Sequence, residues 1–520
     1  MSLRSPALAA AALLACLPCA ALPPDPLPEP VQAALARARV AAANAAFEVV
    51  PLDGGSLQLA HREAAPMSPA STMKLVTTYV ALGKLGPEFR WRTGVFASRE
   101  PAGGRLDGDL ILRGDGDPTL VIERWWLLVQ RVRALGVREI RGDLVIDRSR
   151  FAPGAEAAAL VDHQDLRPYN AAPDALLINF KALSLDFVPD AAAGVARIVA
   201  TPQLEGMRIP SQVPLSAGAC GDWKGRLRAD FSSAWAPRFH GSYTATCSVR
   251  SWHLNLLTPD EYALASFRAL WRQAGGTFHG KVRDGRVAER DVHLFDQESP
   301  PLAEVIRDIN KNSNNVMARQ LYLALGAPQP QEEPAAPAQE VRPDADPDPA
   351  DSPPTASDSA EDSRPLEEKG AQSAVAGRQP GEGAESTARS EQAVRAWLAA
   401  QDLAMPELVL QNGSGLSRQE RISARSLARL LARAWSGNDM PAFLASLPLA
   451  GVDGTMKRRK AAEHAAYVKT GYLSEVRSLA GYVFAASGHR YAIVCLINDP
   501  HAGDAEGAVD GFLQWVWEKG

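Results

Sequence analysis

Apolar and polar positions alternate in Phe47-Glu48-Val49-Val50, break at Asp53-Gly54-Gly55, and resume at Leu57-Gln58-Leu59. A period of two on both sides of a glycine turn predicts a β-hairpin over 47–61. The spacing then changes. Leu75, Val76, Tyr79, Val80 and Leu82 predict a helix with a largely apolar body, with Ser68 as N-cap and Pro69 at its first position. Gly83 and Gly86-Pro87 are expected to end it. From Phe89 to about Phe180 short strands are predicted, turning at Gly103-Gly104 and Gly114-Asp115-Gly116-Asp117. Residues 181–250 read as a second strand-rich piece, Pro259 to Gly275 as a helix, and Phe278 to Arg290 as strands. Helical spacing returns at Leu302, Val305, Ile306 and Ile309, and again from Val316 to Leu325. Further helices are predicted over 391–402, 423–435 and Ala505 to Trp517. Two strands, Ser478 to Ala485 and Tyr491 to Ile497, join through Gly488.

Composition changes this picture in three places. Residues 328–390 are rich in Pro, Ala, Glu, Asp and Ser and contain no aromatic residue. Such a stretch buries too little apolar surface to offset its ordering entropy, so a disordered acidic tether is expected. Residues 331–390 hold 14 Asp/Glu against 5 Lys/Arg, so the net charge of −5 of the 520-residue chain is concentrated there. The remainder is mildly basic and carries no footprint for nucleic acid. At the N-terminus Arg4, the apolar run Ala7 to Leu17 and Pro18-Cys19-Ala20-Ala21 follow the grammar of a signal peptide over 1–21. Export to the periplasm is therefore expected. Leu13-Leu14-Ala15-Cys16 also permits a lipoprotein cleavage site. No second apolar run is long enough for a membrane anchor, so a soluble mature chain is expected. Of five cysteines, Cys16 and Cys19 lie in the leader and Cys495 in the apolar run 491–497, where an inert buried thiol is expected. Cys220 and Cys247 are expected to pair in an oxidising compartment. No histidine lies near them at ligand spacing, and neither a metal nor a cofactor is called for.

The chemistry-bearing residues are few. Ser71 and Lys74, in Pro69-Ala70-Ser71-Thr72-Met73-Lys74, form the chain's only S-x-x-K. A serine hydroxyl needs a base to become a nucleophile, and a lysine three residues on shares its helix face. Near the start of a helix, free N–H groups favour developing negative charge at Ser71. Lys74 acts as base only without its proton, and a second ammonium nearby lowers its pKa. Lys469, in the single K-T-G triplet Lys469-Thr470-Gly471, is the candidate neighbour. Tyr467-Val468-Lys469-Thr470 is β-prone, Gly471 leaves room for a substrate backbone, and the N–H groups of Tyr472 and Ser71 are candidate oxyanion donors. The third element of this set is S-x-N, and two candidates occur. Ser313-Asn314-Asn315 joins two predicted helices, whereas Ser436-Gly437-Asn438 trails one like a helix stop. The first pair, Ser313 and Asn315, is preferred because a helical setting holds a catalytic group still.

At this point the chain resembles the D-alanyl-D-alanine carboxypeptidase/endopeptidase family, the class C low-molecular-mass penicillin-binding proteins. The resemblance rests on Pro69 to Thr78, Gly114-Asp115-Gly116-Asp117-Pro118, Asn412-Gly413-Ser414-Gly415-Leu416-Ser417, Gly451-Val452-Asp453-Gly454-Thr455 and Val468 to Ser474. It implies an α/β fold: a transpeptidase/β-lactamase-like domain, an antiparallel sheet covered by helices, with two strand-rich domains inserted between S-x-x-K and S-x-N. The 242 positions from Ser71 to Ser313 suit that plan. Transpeptidase-like parts are then expected over 22–87, 293–327 and 391–520, one inserted domain over 88–180 and 251–292, and another over 181–250. The implied partners are peptidoglycan stem peptides and β-lactam antibiotics. By this similarity Ser71 is acylated by the penultimate D-Ala, Lys74 takes its proton, and Ser313 and Lys469 pass a proton to the leaving amine. Asn315 orients the acyl group and Thr470 contacts the substrate carboxylate. Two rival readings share these residues: a serine β-lactamase, and a weakly catalytic peptidoglycan-binding scaffold. The chain departs from the pattern at Tyr472, where threonine is usual, at Asn412, where aspartate is usual, and in its acidic insert. Bland readings suffice elsewhere: Asp115 and Asp117 as a turn, His464 on an exposed loop, Trp125-Trp126 in a core.

Overall fold

A computed structural model describes residues 25–151, 166–328 and 382–520. The signal peptide expected over 1–21 and most of the acidic stretch lie outside the described residues. The central element is a five-stranded antiparallel sheet in the order Ala466–Leu473, Val476–Phe484, Arg490–Asn498, Ala45–Pro51, Leu59–His61. The predicted hairpin is its far edge, with Phe47 opposite His61 and Val49 opposite Leu59. The strand carrying Lys469 is the other edge.

Both faces of this sheet are covered, which explains the unbroken apolar run in its middle strand. Ala492, Val494 and Leu496 face one core, beneath helices Lys74–Leu85, Leu302–Asn312, Asn315–Gly326 and Ala424–Trp435. Tyr491, Ile493, Cys495 and Ile497 face the other, beneath Glu29–Arg37 and Glu506–Lys519. Cys495 is fully buried, and that burial pushes its thiol pKa up, as an inert core cysteine requires.

Between the first and second core helices the described residues build a two-stranded sheet, a three-stranded sheet and two five-stranded sheets. One five-stranded sheet has the order Val282–Asp284, Leu144–Asp147, Leu110–Arg113, Arg92–Ala97, Val292–Glu298; the other, Tyr243–Thr244, Gln212–Ser216, Val195–Thr201, Leu183–Asp190, Arg250–Leu254. One hydrophobic cluster runs through both five-stranded sheets, from Val95 and Trp125 to Phe187 and Tyr243. Cys220 and Cys247 are joined in a disulfide there. This unit grips the core at the helix bearing Asn315. Gln320 accepts the Asp174 N–H at 3.0 Å and donates to the Asp174 carbonyl at 2.8 Å. Arg148 holds the Asp174 carboxylate with two 2.9 Å contacts to its Nε and pairs with Asp260 and Asp284.

Several expectations need correction. Short strands are present over 89–180 as expected, but so is helix Ile122–Ala134, which was not predicted. Its buried residues Trp125, Leu128, Val129 and Val132 keep helical spacing, a signal present in the sequence. Trp125 is in the core and donates to Ser266 at 3.1 Å, but Trp126 is 48 % exposed. Ser68 does not cap a helix: a 3-10 turn, Ala70–Met73, precedes Lys74–Leu85, and no side chain caps either. Asn498 instead accepts the Ser68 N–H at 2.7 Å. Gly83 does not end the helix, which runs to Leu85; a Cβ there would strike the Trp397 ring. Gly86, at φ 85°, provides the stop. The helix predicted from 391 begins at Glu382, inside the stretch read as disordered. Ser386 and Ser390 are buried, and a Cβ on Gly326 would strike Ser390. Small residues that look like low complexity thus let two helices approach closely.

The disulfide closes a loop of 27 residues, worth about 3–4 kcal/mol by loop-closure entropy. Replacing both Cys220 and Cys247 by serine should lower the melting temperature and expose 181–250 to limited proteolysis. Serine labelling at position 71 should survive, because the bond lies outside the central sheet and its helices. Unchanged proteolysis would contradict this assignment of local stability.

Candidate active site

The 3-10 turn Ala70–Met73 presents Ser71 at the front of the core helix. Ala70 takes φ 44°, a strained value for a residue with a side chain. The turn is pinned through the Pro69 carbonyl, which accepts from Thr72 Oγ1 at 2.7 Å and Ser478 Oγ at 2.5 Å. Ser71 is half-buried and Lys74 fully buried.

Lys74 Nζ stands 3.0 Å from Ser71 Oγ, 2.6 Å from Asn315 Oδ1 and 2.5 Å from the Ser414 carbonyl. Two of these partners only accept hydrogen bonds. A neutral amine gives its two protons to them and keeps its lone pair for the hydroxyl proton of Ser71. Burial drives the Lys74 pKa well below its usual range. The charges of Lys469 and Arg319 act in the same direction, and Glu420 opposes them. Glu420 Oε1 is occupied by the N–H groups of Gln411, Asn412 and Gly413, at 2.9 to 3.1 Å.

Ser313 and Asn315 arrive from the corner between two helices. Ser313 ends Leu302–Asn312 in the left-handed conformation, and Asn314 caps the next helix through Met317 N. Lys469 Nζ donates to Ser313 Oγ at 2.9 Å and to the Thr470 carbonyl at 2.7 Å. Lys469 is fully buried too, and burial lowers its pKa to about 7. Ser436 and Asn438 are exposed beyond the end of Ala424–Trp435, away from this cluster.

The edge strand completes the arrangement. The Val468 N–H points outward to the Pro448 carbonyl at 2.9 Å. Backbone groups alternate along a strand, so the N–H groups of Thr470 and Tyr472 face the same open edge. A Cβ on Gly471 would lie 2.9 Å from Ser71 N and 2.2 Å from Ser478 Oγ, so only glycine lets the strand pass so close to the serine turn. Thr470 Oγ1 lies 2.8 Å from Thr455 Oγ1. Tyr472 is 58 % exposed.

Ser71, Lys74, Ser313, Asn315, Lys469, Thr470, Gly471 and Tyr472 are therefore assembled around one cleft edge. Three roles were not read from the sequence, although Ser414 itself lies in the motif Asn412–Ser417. Ser414 acts through its backbone carbonyl, which leaves no trace in residue type. Arg319 and Glu420 are buried charges whose positions carry no spacing signal. Asn412 accepts from Ser414 N and Oγ and donates to the Leu416 carbonyl at 3.0 Å. An aspartate could not make that last bond. Asp115 pairs with Arg150, Asp117 accepts from Thr119, and His464 is exposed on its loop. Among the described residues no His, Cys, Asp and Glu cluster could hold a metal, and no helix is long and apolar enough to cross a membrane.

The chain is similar to a D-alanyl-D-alanine carboxypeptidase DacB of Haemophilus influenzae, at 24% identity over 85% of this chain and 82% of the relative. It is also similar to a D-alanyl-D-alanine carboxypeptidase of Actinomadura sp. (strain R39), at 29% over 85% of this chain and 75% of the relative. The crystal structure of H. influenzae penicillin binding protein 4 superposes with a TM-score of 0.69 at 20% identity, covering 94% of this chain and 99% of that one. The same protein complexed with a β-lactam gives 0.64 at 21% identity, covering 94% and 98%. Residues 27–342 and 373–516 match the D-Ala-D-Ala carboxypeptidase 3 (S13) family, and the chain belongs to that family.

Proposed function

We propose that the protein is a periplasmic serine DD-peptidase that removes terminal D-Ala from peptidoglycan stem peptides or cuts their D-Ala cross-links. The Lys74 amine, caged between two acceptors and the Ser71 hydroxyl, carries this reading. Ser71 Oγ attacks the carbonyl of the penultimate D-Ala and yields its proton to Lys74 Nζ. The oxyanion that forms takes hydrogen bonds from the N–H groups of Ser71 and Tyr472. As the C–N bond breaks, the leaving amine receives a proton through Ser313 Oγ and Lys469. Asn315 holds both Lys74 and the acyl amide. Water then hydrolyses the ester and frees Ser71. A β-lactam follows the same first step, with its ring amide as the bond that breaks, and leaves a slowly released acyl-enzyme. The leader-like residues 1–21 support export.

Exposure to benzylpenicillin should add one penicilloyl group to Ser71, seen by intact mass. Ser71→Ala should show none, and Ser313→Ala should acylate at least about 100-fold more slowly, the scale of one acid–base group. Ser436→Ala should acylate normally. A reversal between the two serine variants would move the S-x-N element to 436–438.

A second outcome concerns pH. Lys469 titrates at about 7 in the folded chain, against about 10.4 when unfolded. Between those values the unfolded chain holds a proton that the folded chain lacks, so stability rises with pH. Below about 7 both states are protonated and this contribution to the slope vanishes. The gain approaches about 1.4 kcal/mol per pH unit. Urea unfolding at several pH values from about 7.5 to 9.5 should therefore show a shallower slope for Lys469→Met than for the unaltered protein. Parallel slopes would mean that Lys469 is charged in the fold.

A further inference from the structure

Tyr472 stands where the family pattern usually has threonine, and a cation lies beside it. Tyr472 and Arg477 sit directly opposite each other on the first two strands of the sheet. The Arg477 guanidinium carbon lies 4.3 Å from the centre of the Tyr472 ring. Opposed residues project from one face, and residues two apart share it, so Thr470 projects there as well. Arg477 is then the diagonal neighbour of Thr470, within reach of a long side chain. These residues, with Thr455 and Arg459, line an open cavity of about 160 Å³.

The two arginines are not equivalent. Arg459 is matched by two carboxylates, Glu506 at 3.0 Å and Asp510. Arg477 donates from Nη2 to the Gly503 carbonyl at 3.0 Å and is 4.0 Å from Glu506, while its buried Nε has no partner. Its charge is the less neutralised of the two. The guanidinium lies over the Tyr472 ring, which restrains it, and Thr470 lines the same cavity.

We propose that Arg477, steadied by the Tyr472 ring, reads the free carboxylate of the incoming substrate in place of the hydroxyl usually found after K-T-G. The ligand class is a D-Ala-terminated peptide acid or a β-lactam acid, and the proposal rests on the acylation reading above. A guanidinium forms charge-assisted, paired hydrogen bonds to a carboxylate, whereas an ester or amide in its place offers no charge. Tyr472 and Arg477 act on substrate selection, and the chemistry stays with Ser71 and Lys74.

The test compares acylation rates of Ser71 by benzylpenicillin and by its methyl ester, followed by intact mass. The unaltered protein should prefer the acid. Arg477→Gln should lose about tenfold to a hundredfold on the acid while keeping its rate on the ester, the scale of one charged hydrogen bond. Arg477→Lys should retain part of the preference, and Tyr472→Leu should weaken it by freeing the guanidinium. The ester rate reports on folding in each variant. An acid-to-ester ratio unchanged in both Arg477→Gln and Arg477→Lys would overturn the proposal and leave the acylation reading intact. No Ser71 adduct with either compound in the unaltered protein would overturn the acylation reading, and this proposal with it.

Discussion

Everything in the site depends on an amine kept dry. Lys74 has no exposed surface and meets one hydroxyl and two acceptors. Placing an ammonium there costs several kcal/mol of hydration, and the charge of Arg319, joined by that of Lys469 whenever it holds its proton, adds to that cost. The one opposing charge, Glu420, already accepts three backbone hydrogen bonds. Burial is the largest influence and outweighs it, so the Lys74 pKa lies well below the usual lysine range.

The rest of the fold serves to bring distant segments to that amine. The turn at Ala70–Met73, the helix corner at Ser313 and the edge strand at Lys469 lie far apart in the chain. Sheet and helices are stacked so that each contributes one end. Asp174 and Gln320 tie the sheets between Arg92 and Glu298 to the helix that carries Asn315. Gly471 sets the spacing, because any side chain there would push the strand from the serine turn.

Much of this was legible before any coordinates. The hairpin at 47–61, the final strands and the helices around Ser313 follow from periodicity, and the residues of the candidate site from short motifs. What was not legible has physical causes. Helix Ile122–Ala134 was hidden because two exposed apolar residues, Trp126 and Leu127, blur its buried stripe. Helix Glu382–Ala400 was hidden because the small residues that let it pack closely resemble a linker. The role of Ser414, whose motif was visible, was hidden because a carbonyl oxygen is common to every residue.

Lysine labelled at its ε-carbon would let the protonation of Lys74 be followed directly by NMR across a pH titration, with Lys74→Arg assigning the signal. A neutral amine at pH 8, titrating far below the usual 10.5, is the expected result. A Lys74 signal still that of an ammonium at pH 9, with Ser71 intact, would contradict the claim that burial makes it the base.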